Sequence, residues 1–409
     1  MNGGKESTPE SLAHEIKELH RSGRANDAFA LALESAERFP SSSLALTNLG
    51  YFYVTRGEPA LALQAYESAV HANPGNAEAR RGLAVAKTQC GIAAQGDSVT
   101  VVPYRGAARA VRVLVPITLG TGNVVTENLF DDRVFEVIKI AVELHPLDAA
   151  LPQHDVVFNA VGEADSSRGA LERASALLAH SPRRILNDPE RIARTGRVEQ
   201  ARRLRVLDGV TVPRIERVTK EGARGLPFPV LLRVPGYHAG EHFVRVTTDE
   251  DLDDALAQLP GDELFAIAYA DTRDAGGCFA KYRVMAIDGR LYPLHLAISR
   301  EWKVHYFSAA MAADPSFRER EARFLENPAE VLGARAWQAL RRIADLTALE
   351  YAGIDFSLDG DGNVVLFECN ATMAVRYPRE EPLWAYRRPA VDAALDAVRA
   401  MLLRYSPSI

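Results

Sequence analysis

The chain has 409 residues, a formal net charge of −6, 47% apolar and 25% charged residues. This is the composition of a soluble globular protein of two or three domains, and it argues against a general nucleic-acid binder or a membrane-surface protein. Three cysteines far apart, Cys90, Cys278 and Cys369, form neither a disulfide framework nor a zinc-finger spacing, so a reducing compartment is expected. The N-terminus MNGGKESTPESLAHEI lacks an apolar signal core, and no run approaches the length of a membrane span. The expected location is cytoplasmic.

Residues 11 to about 93 carry a 34-residue internal period. Gly23, Gly57 and Gly91 fall in step, as do Ala28 with Ala62 and Pro40 with Pro74. The best copy, LTNLGYFYVTRGEPALALQAYESAVHANPGN, places Leu49, Gly50, Tyr53, Gly57, Ala62, Tyr66, Ala69 and Pro74 in a pattern that resembles a tetratricopeptide array of about two and a half repeats. Small residues let paired helices approach, aromatics fill the gaps, and proline ends each pair. The expected module, residues 1–95, is all-α. It offers either a concave docking surface for a protein or peptide partner, or a bundle that packs on its neighbour.

Periodicity lapses over residues 96–110, an expected linker. A buried strand then reads AVRVLVPITLG, followed by the turn GTGN, a second strand HDVVFNAVG and a helical stretch near Ala170. Strand, loop and helix in alternation predict an α/β layer with a parallel sheet over residues 111–212. The segment Ser181 to Ile215 holds nine arginines. A solvated helix face explains such a run, while an anion-binding role falls to Arg194 or Arg197.

Residues 213–409 hold the chemistry. FPVLLRVPGYHAGEHFVRV is a strand bearing Arg233, a glycine-rich turn with Gly236, His238 and Gly240, and a returning strand. A cation beneath a loop whose N–H groups can close over phosphates suits a triphosphate. CFAKYRVMAIDGRLYPLHLAIS predicts a hairpin turned at Asp288-Gly289, with Lys281 and Arg283 on one face. GIDFSLDGDGNVVLFECN predicts another hairpin. With a two-residue turn at Asp361-Gly362, Asp355 lies opposite Glu368, and Asn370 shares the face of Glu368. Two carboxylates so placed repel unless something positive lies between them, so neutralising Glu368 is expected to leave the unliganded protein as stable or more so.

The order of these three stretches, ending on an Asp followed after thirteen residues by Glu and after fifteen by Asn, resembles the ATP-grasp superfamily of carboxylate–amine ligases. The resemblance runs from about Val111 to Leu403 and implies an α+β nucleotide-binding and catalytic domain over residues 213–409. It implies ATP and Mg²⁺ as cofactors, with Asp355, Glu368 and Asn370 as metal ligands. Arg233, Lys281 and Arg283 are then the catalytic cations, and Arg194, Arg233, His238, Gly240, Asp271 and Lys281 hold the nucleotide, its hinge lying in FAIAYAD. The chain departs from the family in having Arg233 where lysine is usual, arginine rather than lysine near 194–197, and Gly353 where the D-alanine ligases carry an arginine. Arg283 is a candidate to supply that missing contact.

YPLHLAISREWKVHYFSAAM is dense in donors. His295, Ser299, Arg300, Lys303 and His305, with Trp302 and Tyr306 among them, are candidate contacts to a small-molecule or peptide substrate, although histidines on an apolar strand are commonly core residues. The expected activity is an ADP-forming ligase that activates a carboxylate as an acyl phosphate and joins it to an amine or similar nucleophile. The alternatives are a phosphotransferase on the same fold, or a nucleotide-binding scaffold that works through its repeats.

Overall fold

In the computed structural model the described residues are 8–21, 24–90, 98–237, 240–304 and 309–407. The chain divides into two compact units. The first comprises Met1–Thr100 with Thr118–Thr121 and Ile140–Ala149, and the second comprises Val101–Ile117, Gly122–Lys139 and Ala150–Ile409.

The first unit is built on five helices, α1 (Pro9–Arg21), α2 (Ala25–Arg38), α3 (Ser43–Thr55), α4 (Pro59–Ala72) and α5 (Ala77–Gln89), each packed on the next. Pro59 opens α4 at a position where its missing N–H costs nothing. Tyr66 of α4 lies between Gly50 of α3 and Gly82 of α5. A Cβ on either glycine would meet the Tyr66 ring at 2.9 and 2.1 Å respectively, so only a bare backbone admits the ring. Ala28, Ala32, Ala62 and Ala86 are fully buried, and this small-residue spine lets the helices approach closely.

After the five helices the chain forms three sheets. Strands β1 (Val99–Val102), β2 (Val111–Ile117), β3 (Phe135–Ala141), β4 (Val156–Phe158) and β5 (Ile185–Leu186) form a sheet in the order β1-β3-β2-β4-β5. The β2–β4 and β4–β5 pairs are parallel, as the alternation of strand and helix requires. Helices α6 (Arg168–Leu178), α7 (Pro189–Ala193) and α8 (Arg197–Leu204) accompany it. Buried Asn187, which adopts a left-handed φ of 55°, exchanges two amide hydrogen bonds with the backbone of Tyr351. Arg184 and Arg191 meet at the Glu350 carboxylate, and Arg203 donates to the Leu346 carbonyl. Part of the arginine run is therefore structural.

Strands β6 (Val210–Thr211) and β7 (Ile215–Thr219) precede the short α9 (Lys220–Ala223). With β8 (Val230–Arg233), β9 (Phe243–Val246), α10 (Asp249–Gln258) and β10 (Glu263–Ala268), β7 makes an antiparallel sheet ordered β7-β10-β8-β9. Leu232, Val246, Leu252, Leu256 and Leu264 form the core between this sheet and α10. Strands β11 (Phe279–Ile287) and β12 (Arg290–Ser299) come next, then helices α11 (Pro315–Glu326), α12 (Pro328–Leu332) and α13 (Ala334–Thr347). Strands β13 (Tyr351–Leu358) and β14 (Val364–Asn370) and the long α14 (Arg388–Tyr405) complete the chain. The third sheet runs β12-β11-β13-β14-β6, with the last pair parallel.

Both expected hairpins are present. At Asp288-Gly289 the turn has two residues with φ of 48° and 75°, the left-handed pair that a type I′ turn needs. The β13–β14 turn differs from expectation. Asp359 N donates to the Asn363 carbonyl, Gly362 alone has φ of +75°, and Leu358 pairs with Val364, so three residues (Gly360, Asp361 and Gly362) form the loop. That register would set Asp355 against Phe367. A bulge corrects it, because Phe356 pairs with Leu366 and Asp355 with Glu368, leaving Phe367 as the extra residue. Bulges re-aim side chains in this way next to functional sites.

Candidate active site

The bulge at Phe367 has a counterpart. On β12 the partners step from Val284↔Pro293 to Arg283↔His295, leaving Leu294 extra. Just beyond the two bulges one register line crosses four strands: His295 on β12, Arg283 on β11, Asp355 on β13 and Glu368 on β14. The predicted juxtaposition of Asp355 and Glu368 is thus observed, and each carboxylate is met by a cation.

Asp355 is the anchor of this row, its side chain 1% exposed. Arg283 grips it with both arms of the guanidinium, Nε to Oδ1 at 2.5 Å and Nη2 to Oδ2 at 2.7 Å. Lys281 Nζ adds a contact to Oδ2 at 3.0 Å. Burial alone would raise this carboxyl, but Arg283 and Lys281 overcome it and hold Asp355 well below the usual carboxylate range. Gly353 admits no side chain, because a Cβ there would lie 2.4 Å from the Met373 sulfur, and the guanidinium that meets Asp355 comes from Arg283 on the neighbouring strand.

Glu368 has a different partner. Arg197, the first residue of α8, donates Nη2 to its Oε2. The Arg197 backbone N–H is fixed by Asp165 Oδ2 at 2.9 Å, and Arg217 holds the other oxygen of Asp165 at 2.9 Å. Asp165 therefore caps the N-terminus of α8, which has no side-chain cap of its own. Burial opposes ionisation of Glu368, yet Arg197 and the neighbouring cations bring its pKa to about 2. Asn370 lies two residues further on, opposite Gly353, its amide oxygen accepting from Thr372 N at 3.1 Å and Oγ1 at 2.9 Å.

Arg197, Lys281, Asp355 and Glu368 line a cleft of about 160 Å³ between the second and third sheets. Its polar end is formed by Arg197, Arg233, Lys281, Asp355 and Glu368; Ile215, Leu231, Ile267 and Leu366 make an apolar slot. The expected hinge contributes Ile267, Ala268, Tyr269 and Ala270 to the lining. Arg233 projects from the end of β8, donating to the Tyr237 carbonyl at 2.5 Å, and burial beside Arg197 pushes its pKa down to about 10. At the mouth, Trp302 stacks edge-on against Phe243 at 5.3 Å, and Lys303 Nζ donates to the Phe243 carbonyl at 3.1 Å. Gly240 is part of this lining too, and a Cβ there would come within 2.7 Å of Lys303 Cε.

The cleft thus gathers Arg233, Gly240, Lys281, Lys303, Asp355 and Glu368, with Arg283 in contact behind them and Asn370 beside Glu368. Several other expected residues stand elsewhere. Arg194 is exposed at the end of α7, and Arg197, three residues later, is the arginine that enters. Asp271 is tied to Arg273 through both oxygens and is not part of the lining. His295 is buried behind Arg283, where burial and the adjacent guanidinium push its pKa well below the usual value and keep it neutral. Ser299 ends β12 and accepts from Glu301 N; Arg300 is exposed. Neither lines the cleft. His238 and His305 lie outside the described residues.

Sequence reasoning missed Asp165, Glu163 and Phe367. Glu163 shares a second, smaller cavity of about 20 Å³ with Thr195, Arg197, Gln200, Glu368 and Asn370, and burial raises its pKa. The stretch GEAD following a buried strand held the available signal for these acids, as two carboxylates just beyond a parallel strand's end. Nothing in the sequence marked the Phe367 bulge.

Asp355, Glu368 and Asn370 each carry side-chain oxygen, the kind of hard ligand that Mg²⁺ prefers. Among the described residues no three His, Cys, Asp or Glu side chains form a cluster able to hold a metal by themselves. A cation bound here would take its remaining ligands from phosphate and water, which is the usual Mg²⁺ arrangement.

No protein-family model matches the chain, and no curated protein sequence does. Among solved structures, the chain is similar to D-alanine–D-alanine ligase from Bacillus anthracis complexed with ATP. The identity is 16% and the TM-score 0.43, covering 72% of this chain and 98% of that one. It is also similar to the ATP-grasp ligase PsnB complexed with a minimal precursor (17% identity, TM-score 0.43, covering 72% and 100%). A third is a RimK domain ATP-grasp protein from Sphaerobacter thermophilus (16% identity, TM-score 0.42, covering 72% and 99%). Likeness at this level does not by itself define an activity. No described helix is long and apolar enough to cross a membrane.

Proposed function

We propose that the second unit is an ATP-grasp enzyme that activates a carboxylate with ATP and joins it to an amine or similar nucleophile, releasing ADP and phosphate. The observation that carries this reading is the composition of the cleft. An apolar slot leads to Arg197, Arg233 and Lys281, and these cations face the opposed pair Asp355 and Glu368. A flat apolar base and a polyanionic tail with a divalent cation match both ends.

Arg233 and Lys281 neutralise the phosphate oxygens and orient the terminal phosphoryl group. Asp355, Glu368 and Asn370 would hold Mg²⁺, which when bound supplies positive charge to the phosphate oxygens. Arg283 fixes the Asp355 carboxylate through two bonds and keeps it ionised. The substrate carboxylate oxygen forms a bond to the γ-phosphorus as the bond to the β-phosphate oxygen breaks, giving an acyl phosphate and ADP. The nucleophile then forms its bond to the carbonyl carbon, phosphate leaves, and the nitrogen loses a proton. Within the described residues the reading needs no covalent enzyme intermediate. The five N-terminal helices, which we read as a tetratricopeptide-like module, offer a surface to a protein or peptide partner.

Hydroxylamine intercepts an acyl phosphate as a stable hydroxamate. With ATP, Mg²⁺ and a panel of amino acids, dipeptides and longer peptides, the protein should yield hydroxamate and ADP in equal amounts with at least one acid. AMP and pyrophosphate as products would contradict the reading. ADP with a stable phosphorylated product would replace it by the phosphotransferase.

A further inference from the structure

We infer that Arg197 is a latch on Glu368, which makes divalent-cation binding to this chain conditional on a polyphosphate already lying in the cleft. The inference rests on the nucleotide-binding reading above and concerns the order in which the site fills. Its basis is an asymmetry between the two opposed carboxylates. Asp355 is held from beneath by Arg283 and Lys281, on the neighbouring strand of its own sheet. Glu368 is held from outside that sheet by Arg197, the first residue of α8.

Arg197 is itself firmly placed. Asp165 accepts its backbone N–H, and Arg197 and Glu368 together line both the main cleft and the smaller cavity beside Asn370. A cation that took Glu368 while the cleft was empty would break the ion pair of a largely buried guanidinium that lies beside Arg233. It would leave that guanidinium only the more distant charges of Glu163 and Asp165, and breaking a buried pair is destabilising. A polyphosphate removes that cost. Its oxygens give Arg197, Arg233 and Lys281 new partners, Glu368 is freed, and phosphate supplies the ligands that the protein alone lacks. Coupling of this kind is reciprocal, so each ligand tightens the other.

The test uses the full-length protein with Mn²⁺ as the metal probe, free Mn²⁺ being followed by its electron paramagnetic resonance signal, and AMPPNP as the nucleotide. Wild type should bind AMPPNP in the presence of EDTA, bind Mn²⁺ together with AMPPNP, and bind Mn²⁺ alone much more weakly than with AMPPNP. Arg197→Gln should bind Mn²⁺ without nucleotide about tenfold or more tighter than wild type, the factor expected for releasing one competing ion pair. Its AMPPNP affinity should fall at the same time. Arg197→Met removes the same charge and provides the same readout should the glutamine variant not fold. If both variants bind free Mn²⁺ as wild type does, the latch is overturned while the nucleotide site stands. If wild type binds Mn²⁺ alone as tightly as with AMPPNP, the conditional order is overturned. If wild type binds no AMPPNP under any condition, the nucleotide-binding reading fails, and the latch with it.

Discussion

Asp355 and Glu368 face each other across one hairpin, yet they are held in opposite ways. Asp355 is buried, with three charged contacts from two residues of β11, and it belongs to the interior of its sheet. Glu368 is 26% exposed on its side chain and meets one guanidinium, which arrives from α8. The difference separates a carboxylate whose partners lie on its own sheet from one whose partner arrives from another element. A group with permanent partners on its own sheet keeps its position through any cycle of binding. A group whose partner comes from another element can exchange that partner.

Breaking the buried side of this contrast should have the largest effect. Asp355→Asn leaves Arg283 and Lys281 without their counter-ion and should lower unfolding free energy by about 3–5 kcal/mol, read by denaturant titration. Glu368→Gln should cost about 1–2 kcal/mol, because Arg197 loses a charged acceptor but retains some access to water. This reverses the expectation that neutralising one of two repelling acids would be harmless or stabilising. A cation stands against each acid, so attraction to the cations outweighs the repulsion between the carboxylates. If the two variants were equally stable, the distinction between them would be lost.

His295 sharpens the same contrast from behind. Its folded-state pKa lies well below the unfolded value, so below about pH 6.5 the unfolded chain takes up a proton that the folded chain refuses. Stability should therefore fall as pH drops below that point, by up to about 1.4 kcal/mol per pH unit from this residue. His295→Asn should flatten that part of the profile, and an unchanged slope would show that His295 titrates normally. The smallest effect concerns the turn that sets the register. Gly362 has φ of +75°, so Gly362→Ala should cost about 1 kcal/mol, whereas Gly360→Ala, with no positive φ and open space around it, should be close to neutral. Equal costs would favour another turn geometry.

These residues also show how far the sequence could be read. The Asp355–Glu368 pairing was legible, though by compensation. The turn is one residue longer than a two-residue Asp-Gly hairpin, and the Phe367 bulge restores the register. The Asp288-Gly289 turn needed no such correction, because its two residues specify the conformation locally. Lys281 and Arg283 were legible because alternation on a half-buried strand fixes their face. Choosing between Arg194 and Arg197 was not possible from the sequence, since the choice depends on where α7 stops and on Asp165 capping α8 from a distant loop. The surroundings of His295 and Asp271 were hidden for a related reason. A polar residue's role depends on what lies across the sheet or two residues along, here Arg283 and Arg273.

The assignment of the cleft is tested most directly by calorimetric titration of the wild-type protein and of Arg233→Ala with Mg²⁺ and AMPPNP. Wild type should show a single saturable site, weakened about tenfold to a hundredfold by loss of this charge-assisted contact. Absence of binding to wild type, or equal affinity in the two proteins, would contradict that assignment.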